Sequence, residues 1–212
     1  MRVAIIGDSF LQYVRDTWIE DIAREFEWNV VHSQGNPGGC EYFTYEELNK
    51  IIDKVDLVMF SHTEPHRLVN PLRKGITPIV ATTDYKSDVP DDMRDAAKAY
   101  YNHLYHEPFH GTVHELLIGR MQDMCYLKNV KQVHLQSFVY PVPKTHGLWI
   151  EGSLHDIAAL QGNDYYKDFS LRNHFSRSLH DRFYQWLRLH LRYYLNNDLD
   201  HHSVLMGTEE FR

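Results

Sequence analysis

Ser9, in the stretch AIIGDSF, follows a short apolar run and a glycine and precedes the start of a helical pattern. A hydroxyl on such a strand-to-helix turn is placed to act as a nucleophile. Gly-Asp-Ser is also ordinary turn chemistry, so Ser9 gains meaning only beside a base and beside donors for a developing oxyanion. The base must be a histidine brought in from elsewhere. His174, in LRNHFS, sits at a loop-to-helix junction just before the last helical stretch and can face the same edge of a sheet. An alcohol and an imidazole in contact would perform acyl transfer, the imidazole taking the hydroxyl proton as the oxygen attacks a carbonyl.

The elements that must position this pair are readable from periodicity. RVAII reads as a short buried strand, and Val14, Trp18, Ile19, Ile22 and Phe26 then recur at helical spacing. WNVVHS reads as the next strand, ending in the turn-rich QGNPGGC; YEELNKIID reads as a helix and DLVMFSH as a third strand. Strand and helix alternating at this cadence imply a parallel sheet covered on both faces. Residues 85–130 read as mainly helical, broken at EPFHG by Pro108 and Gly111, and KQVHLQSF reads as a later strand. The stretch from about Val139 to Leu171 reads as loop-rich. A last helix runs from about Ser176, its N-cap, to Leu195, and a polar tail of residues 196–212 is expected to be loosely held. The chain thus reads as one domain over residues 1–195 with a helical insertion at about 85–130. Ligands of open parallel sheets bind outside the carboxyl ends of the strands. GDSF, QGNPGG and SHTEPHR are three polar clusters expected to converge there.

These blocks, in this order and across nearly the whole chain, resemble the SGNH (GDSL-type) hydrolase superfamily. The resemblance implies a flavodoxin-like, three-layer α/β/α sandwich with a mainly parallel sheet. It implies that Ser9 is the nucleophile, that its backbone N–H is one oxyanion donor, and that His174 is the base. A second backbone donor maps onto Gly38, with Gly35 the other option. Two positions depart from the family pattern. Its third block usually reads Gly-x-Asn-Asp; here SHTE puts Thr63 where the donor amide would stand, with His62 or Arg67 able to compensate. The family's acid lies three residues before the histidine, and that position is Leu171; Asp168 or Asp164 would have to serve, or a backbone carbonyl would orient a Ser–His dyad. Asp8 is not read as the acid, because a residue beside a turn nucleophile more often caps the turn. With Gly35, Glu64 and Arg67 it is assigned to the substrate-binding side, although Glu64 and Arg67 would equally form a local ion pair.

The expected activity is therefore a serine esterase acting on a small-molecule or carbohydrate ester, and the resemblance implies a short acyl group. The departures at Thr63 and Leu171 equally suit a weakened SGNH-like carbohydrate-binding or virion-assembly module. A nucleotide-binding domain is disfavoured by the missing Gly-rich fingerprint. A net charge of -7 argues against nucleic acid as a partner. No apolar run approaches the roughly 20 residues that span a bilayer, and MRVAII is too short for a signal peptide. A cytoplasmic or virion-associated protein is expected. Cys40 and Cys125 form no paired motif and read as free thiols. His110 and His114 have helical spacing, but Glu115 lies outside the pair and Gly111 within it, so no metal and no other cofactor are expected. The histidine-rich stretch from about Tyr85 to Asn129 is read as a wall of the site or a homo-oligomer contact.

Overall fold

The computed structural model describes residues 1–69, 90–161 and 174–211. A six-stranded, all-parallel sheet is the centre of an α/β/α sandwich. Its strands are β1 (Arg2–Asp8), β2 (Asn29–Asn36), β3 (Leu57–His62), β4 (Lys131–Gln136), β5 (Gly147–Ser153) and β6 (His201–Leu205), in the order β2-β1-β3-β4-β5-β6. Two-residue alternation builds the two cores. Val3, Ile5, Leu57 and Met59 face helices α1 (Trp18–Glu25) and α6 (Arg177–Asn196). Ala4, Ile6, Val58 and Phe60 face α2 (Glu41–Ile51) and the long helix α4 (Glu107–Leu127). Strands buried on both faces read as unbroken apolar runs, which is why β1 and β3 stand out in the sequence.

Order reverses between β1 and β3, where one connection runs outward to β2 and the next returns. The crevice at such a switch point, at the carboxyl ends of the strands, is where open parallel sheets place ligands. Ser9 follows β1 there and Thr63 follows β3. Gly7 permits the close approach: a Cβ on it would lie 2.5 Å from the Ser61 carbonyl oxygen.

Three expectations need correction. The stretch read as loop holds β5 and helix α5 (Leu154–Ala159). The polar tail holds β6, which pairs in parallel with β5, and beyond it Phe211 is buried against Phe183 and Trp186. EPFHG does not break a helix. The break lies at 104–106, between α3 (Asp91–His103) and α4, and Pro108 stands in the first turn of α4, where its missing N–H costs nothing. Gly111 continues α4 on an open face, with nothing within 4 Å of where its Cβ would be. Ser176 caps α6 by accepting from the Leu179 N–H at 3.4 Å. Both cysteines are buried free thiols, and no described helix is long and apolar enough to cross a membrane.

Candidate functional site

Strand β1 ends in Asp8, whose carboxylate accepts from the Phe10 N–H at 3.1 Å and so closes the one-turn 3-10 helix Ser9–Leu11. That cap holds Ser9 at the head of the turn. The Ser9 Oγ stands 2.7 Å from Nε2 of His174, 165 positions along the chain. These distant segments meet because β1 and the entry to α6 share one rim of the sheet.

His174 is held in an unusual pose. Its backbone is left-handed, with φ at 66°, a conformation uncommon outside glycine and found where the surroundings over-determine a residue. The Gln161 side-chain amide donates to its carbonyl at 2.8 Å, the same side chain accepts from the Ser176 N–H, and the Phe10 ring packs at 4.7 Å from the imidazole. Burial pushes its pKa below the ordinary histidine value, the nearby Asp8 charge opposes the shift, and His155 and Arg67 add to it. The imidazole is thereby kept neutral near pH 7, with Nε2 able to accept the Ser9 proton.

Asp8 faces inward. It is 2% exposed and accepts from the Ser61 Oγ at 3.1 Å; the Ser61 and Ser137 hydroxyls bond to each other in turn. Arg67 approaches its other oxygen at 3.9 Å. Burial raises the Asp8 pKa, with Arg67 the first of the influences that oppose it. Assigned to the substrate-binding side by sequence, Asp8 stands as the cap of the Ser9 turn, and its charge bears on His174. Asp168, Asp164 and Leu171 lie outside the described residues.

The second cluster comes from β2. Asn36, Pro37, Gly38 and Gly39 form a turn closed by the Gly39 N–H on the Asn36 carbonyl at 2.9 Å, with Gly38 at φ +68° where such a turn calls for glycine. Gly38 therefore stands at an open turn apex. Gly35 is fixed by packing: a Cβ on it would lie 2.5 Å from the Gln12 nitrogen. Asn36 pairs in register with Asp8, the residue before Ser9. Its Oδ1 accepts from Gln34 at 3.1 Å, and its Nδ2 is buried with no hydrogen-bond partner. A buried amide donor left unpaired costs about 1–3 kcal/mol, so Asn36 holds an unspent donor beside the Ser9 turn. Sequence reasoning missed Asn36 because it read the residue as turn chemistry. Its signal was a strand end carrying an amide one register step from the nucleophile turn.

Thr63 is 2% exposed, and its backbone is committed elsewhere: its N–H donates to Glu41 at 3.2 Å and its carbonyl accepts from His114 Nε2 at 2.8 Å. Its Oγ1 is buried with no partner. His62 is bound at 2.9 Å to Glu41 and at 2.8 Å to His134, which removes it as a compensating donor. Arg67 bonds to Glu64 at 3.2 Å and to the Gly39 carbonyl at 2.9 Å, so this pair is the local ion pair and also ties the β3 exit to the β2 turn. His110 bonds to the Tyr100 hydroxyl and His114 to Thr63, so the two turn to different partners. Among the described residues no group of three or more His, Cys, Asp or Glu is placed to hold a metal ion.

Asn36→Ala is expected to lower turnover of an ester substrate about 10²–10³-fold with little change in KM, the loss typical of one oxyanion donor. Steady-state kinetics check this, and a loss below threefold would leave the amide without that role.

No family model matches this chain, and neither a curated protein nor a solved structure matches it.

Proposed function

We propose that this chain is a serine hydrolase cleaving esters of small molecules, with a short acyl group on a carbohydrate as the favoured substrate. The observation that carries the reading is the 2.7 Å contact between Ser9 Oγ and His174 Nε2 at the sheet's switch point. His174 takes the Ser9 proton as the oxygen attacks the ester carbonyl. The negative charge that develops on the carbonyl oxygen is met by the Ser9 N–H, by the Asn36 Nδ2 and by the turn at Gly38. His174 then returns the proton to the leaving alcohol, and water, deprotonated by the same imidazole, releases the acid. The Asp8 charge favours the imidazolium at the moment it forms. The acyl preference rests on the family resemblance alone.

A fluorophosphonate probe tests the reading, because it reacts with an activated serine and not with an ordinary one. Ser9 should label in the folded protein, and Ser9→Ala should not. The labelling rate should rise with pH and level off, with its midpoint below the ordinary histidine value of 6.5, because His174 works only as the neutral base. Absence of labelling in folded protein would overturn the hydrolase reading in favour of a binding or assembly module.

A further inference from the structure

A chamber of about 430 Å³ lies between the β3 exit, the start of α2 and the paired helices α3 and α4, and neither Ser9 nor His174 stands in its wall. Leu68, Phe109, Val113 and Leu117 give it an apolar lining, and Tyr42 and Tyr100 add rings. This volume lies within the range of small-molecule sites, and an apolar cavity of about 150 Å³ already holds benzene.

The charged groups in its wall are already paired. Arg67 is bound to Glu64 and to the Gly39 carbonyl, and Glu41 takes His62 on one oxygen and the Thr63 N–H on the other. The Tyr100 hydroxyl and His110 Nε2 satisfy each other at 2.8 Å. His114 is the exception. Its ring is 3% exposed, its Nε2 donates to the Thr63 carbonyl and stands 3.6 Å from the Glu41 carboxylate, and its Nδ1 is buried with no partner. A carbonyl only accepts, so Nε2 carries a proton, and in the neutral ring Nδ1 is a bare acceptor.

We propose that this chamber is a binding site for a phenol, an aromatic ring whose hydroxyl donates to His114 Nδ1. The ring packs among the aromatic and aliphatic walls, and aromatic pairs add to simple burial. One hydroxyl meets the unpartnered ring nitrogen of His114. A sugar, with hydroxyls all round, would leave most of them unpaired against the lining, and unpaired buried hydroxyls are costly. The site stands on its own wall and does not depend on Ser9 being a nucleophile.

The test uses the full chain and 4-ethylphenol, followed by amide chemical shifts in nitrogen-15-labelled protein, with 4-ethylanisole and cyclohexanol as comparisons. 4-Ethylphenol should bind at up to millimolar concentration, shifting amides of residues 63–68 and 109–117. The anisole, which has no donor, should bind at least about tenfold more weakly, as expected when a buried acceptor stays unpaired. Cyclohexanol should also bind more weakly than the phenol. Val113→Trp, a substitution at a partly exposed position of α4 that fills the chamber, should abolish the shifts without unfolding the protein. Ser9→Ala should leave binding unchanged, so a failed hydrolase reading and a failed pocket are told apart. Binding of phenol and anisole with equal strength, shifts confined to other regions, persistence in Val113→Trp, or no binding at millimolar phenol would each overturn the proposal.

Discussion

Replacing His174 by glycine is expected to lower ester turnover by about 10⁴-fold or more while leaving the fold as stable as before. Two effects on stability oppose each other. The substitution removes the hydrogen bond to Ser9 and the contact with Phe10. It also relieves a left-handed backbone at φ 66°, which costs a residue with a Cβ about 1–2 kcal/mol and glycine almost nothing. The net change in melting temperature should therefore be small, although the chemistry loses its base. This separation makes glycine a better probe than alanine, which keeps the strain and loses the contacts. The substitution also leaves a gap the size of an imidazole beside Ser9. Added imidazole should restore part of the activity, with a pH dependence that follows the free base and no longer the buried ring. A loss below tenfold, in protein that melts normally, would remove His174 from the mechanism.

What could be read in the sequence follows from how each element is buried. β1 and β3 are covered on both faces and bounded by turn residues, so RVAII and DLVMFSH announce themselves. α6 carries one long apolar stripe and a serine cap, and it is equally plain. β5 buries Leu148, Trp149 and Ile150 fully, but Gly147 and Gly152 bracket these apolar residues, and Pro141 and Pro143 precede them, so turn signals mask the strand. β6 is an edge strand, HHSVL, with alternating half-exposure, and nothing in its composition outweighs its polarity. The site was legible where it depends on local chain geometry, at the Ser9 turn and the His174 junction. It was hidden where it depends on pairing across strands. Asn36 matters only because it lies in register with Asp8, and the Thr63 backbone is held by partners on α2 and α4 while its hydroxyl is left unpaired. No spacing along the chain encodes either fact.

The same limit hid a buried charge, Glu41, which lies before the stretch YEELNKIID that the sequence offers as a helix. Glu41→Leu is expected to cost about 3–5 kcal/mol, the range for stripping one partner from a buried ion pair. Hydrogen-bond accounting shows why. Gln132 donates its amide to the Gln122 carbonyl, so its Oε1 faces His134 Nε2, which must donate. His134 Nδ1 is then an acceptor, and His62 Nε2 must supply that proton. His62 Nδ1 meets Glu41 Oε1 at 2.9 Å, and a carboxylate only accepts, so His62 holds both ring protons and is a cation. It is 1% exposed, between Phe60 and the rings of His134 and Trp149. Burial alone would raise the Glu41 pKa, but the His62 charge, the closeness of His114 at 3.6 Å and the hydrogen bond from His62 overcome it and hold the carboxyl at about 2. Burial, reinforced by the His62 charge, drives the His134 pKa well below the histidine norm.

The pH dependence of stability follows in sign. A histidine with a lowered folded pKa takes its proton in the unfolded chain first, so stability falls as pH drops below about 6.5. A carboxylate held at about 2 contributes stability that is complete above its ordinary value of 4.5 and is lost as pH falls from there toward 2. Wild-type protein should therefore lose stability in two stages on acidification, and Glu41→Leu should lose less in the second, from an already lower starting point. Denaturant melts across pH check both. If the leucine variant costs less than about 1 kcal/mol, the value of an exposed pair, the buried cation assignment fails. Pairing it with His62→Phe should recover part of the loss, because removing both charges removes the unpaired cation, whereas a purely steric defect would grow worse with the second substitution.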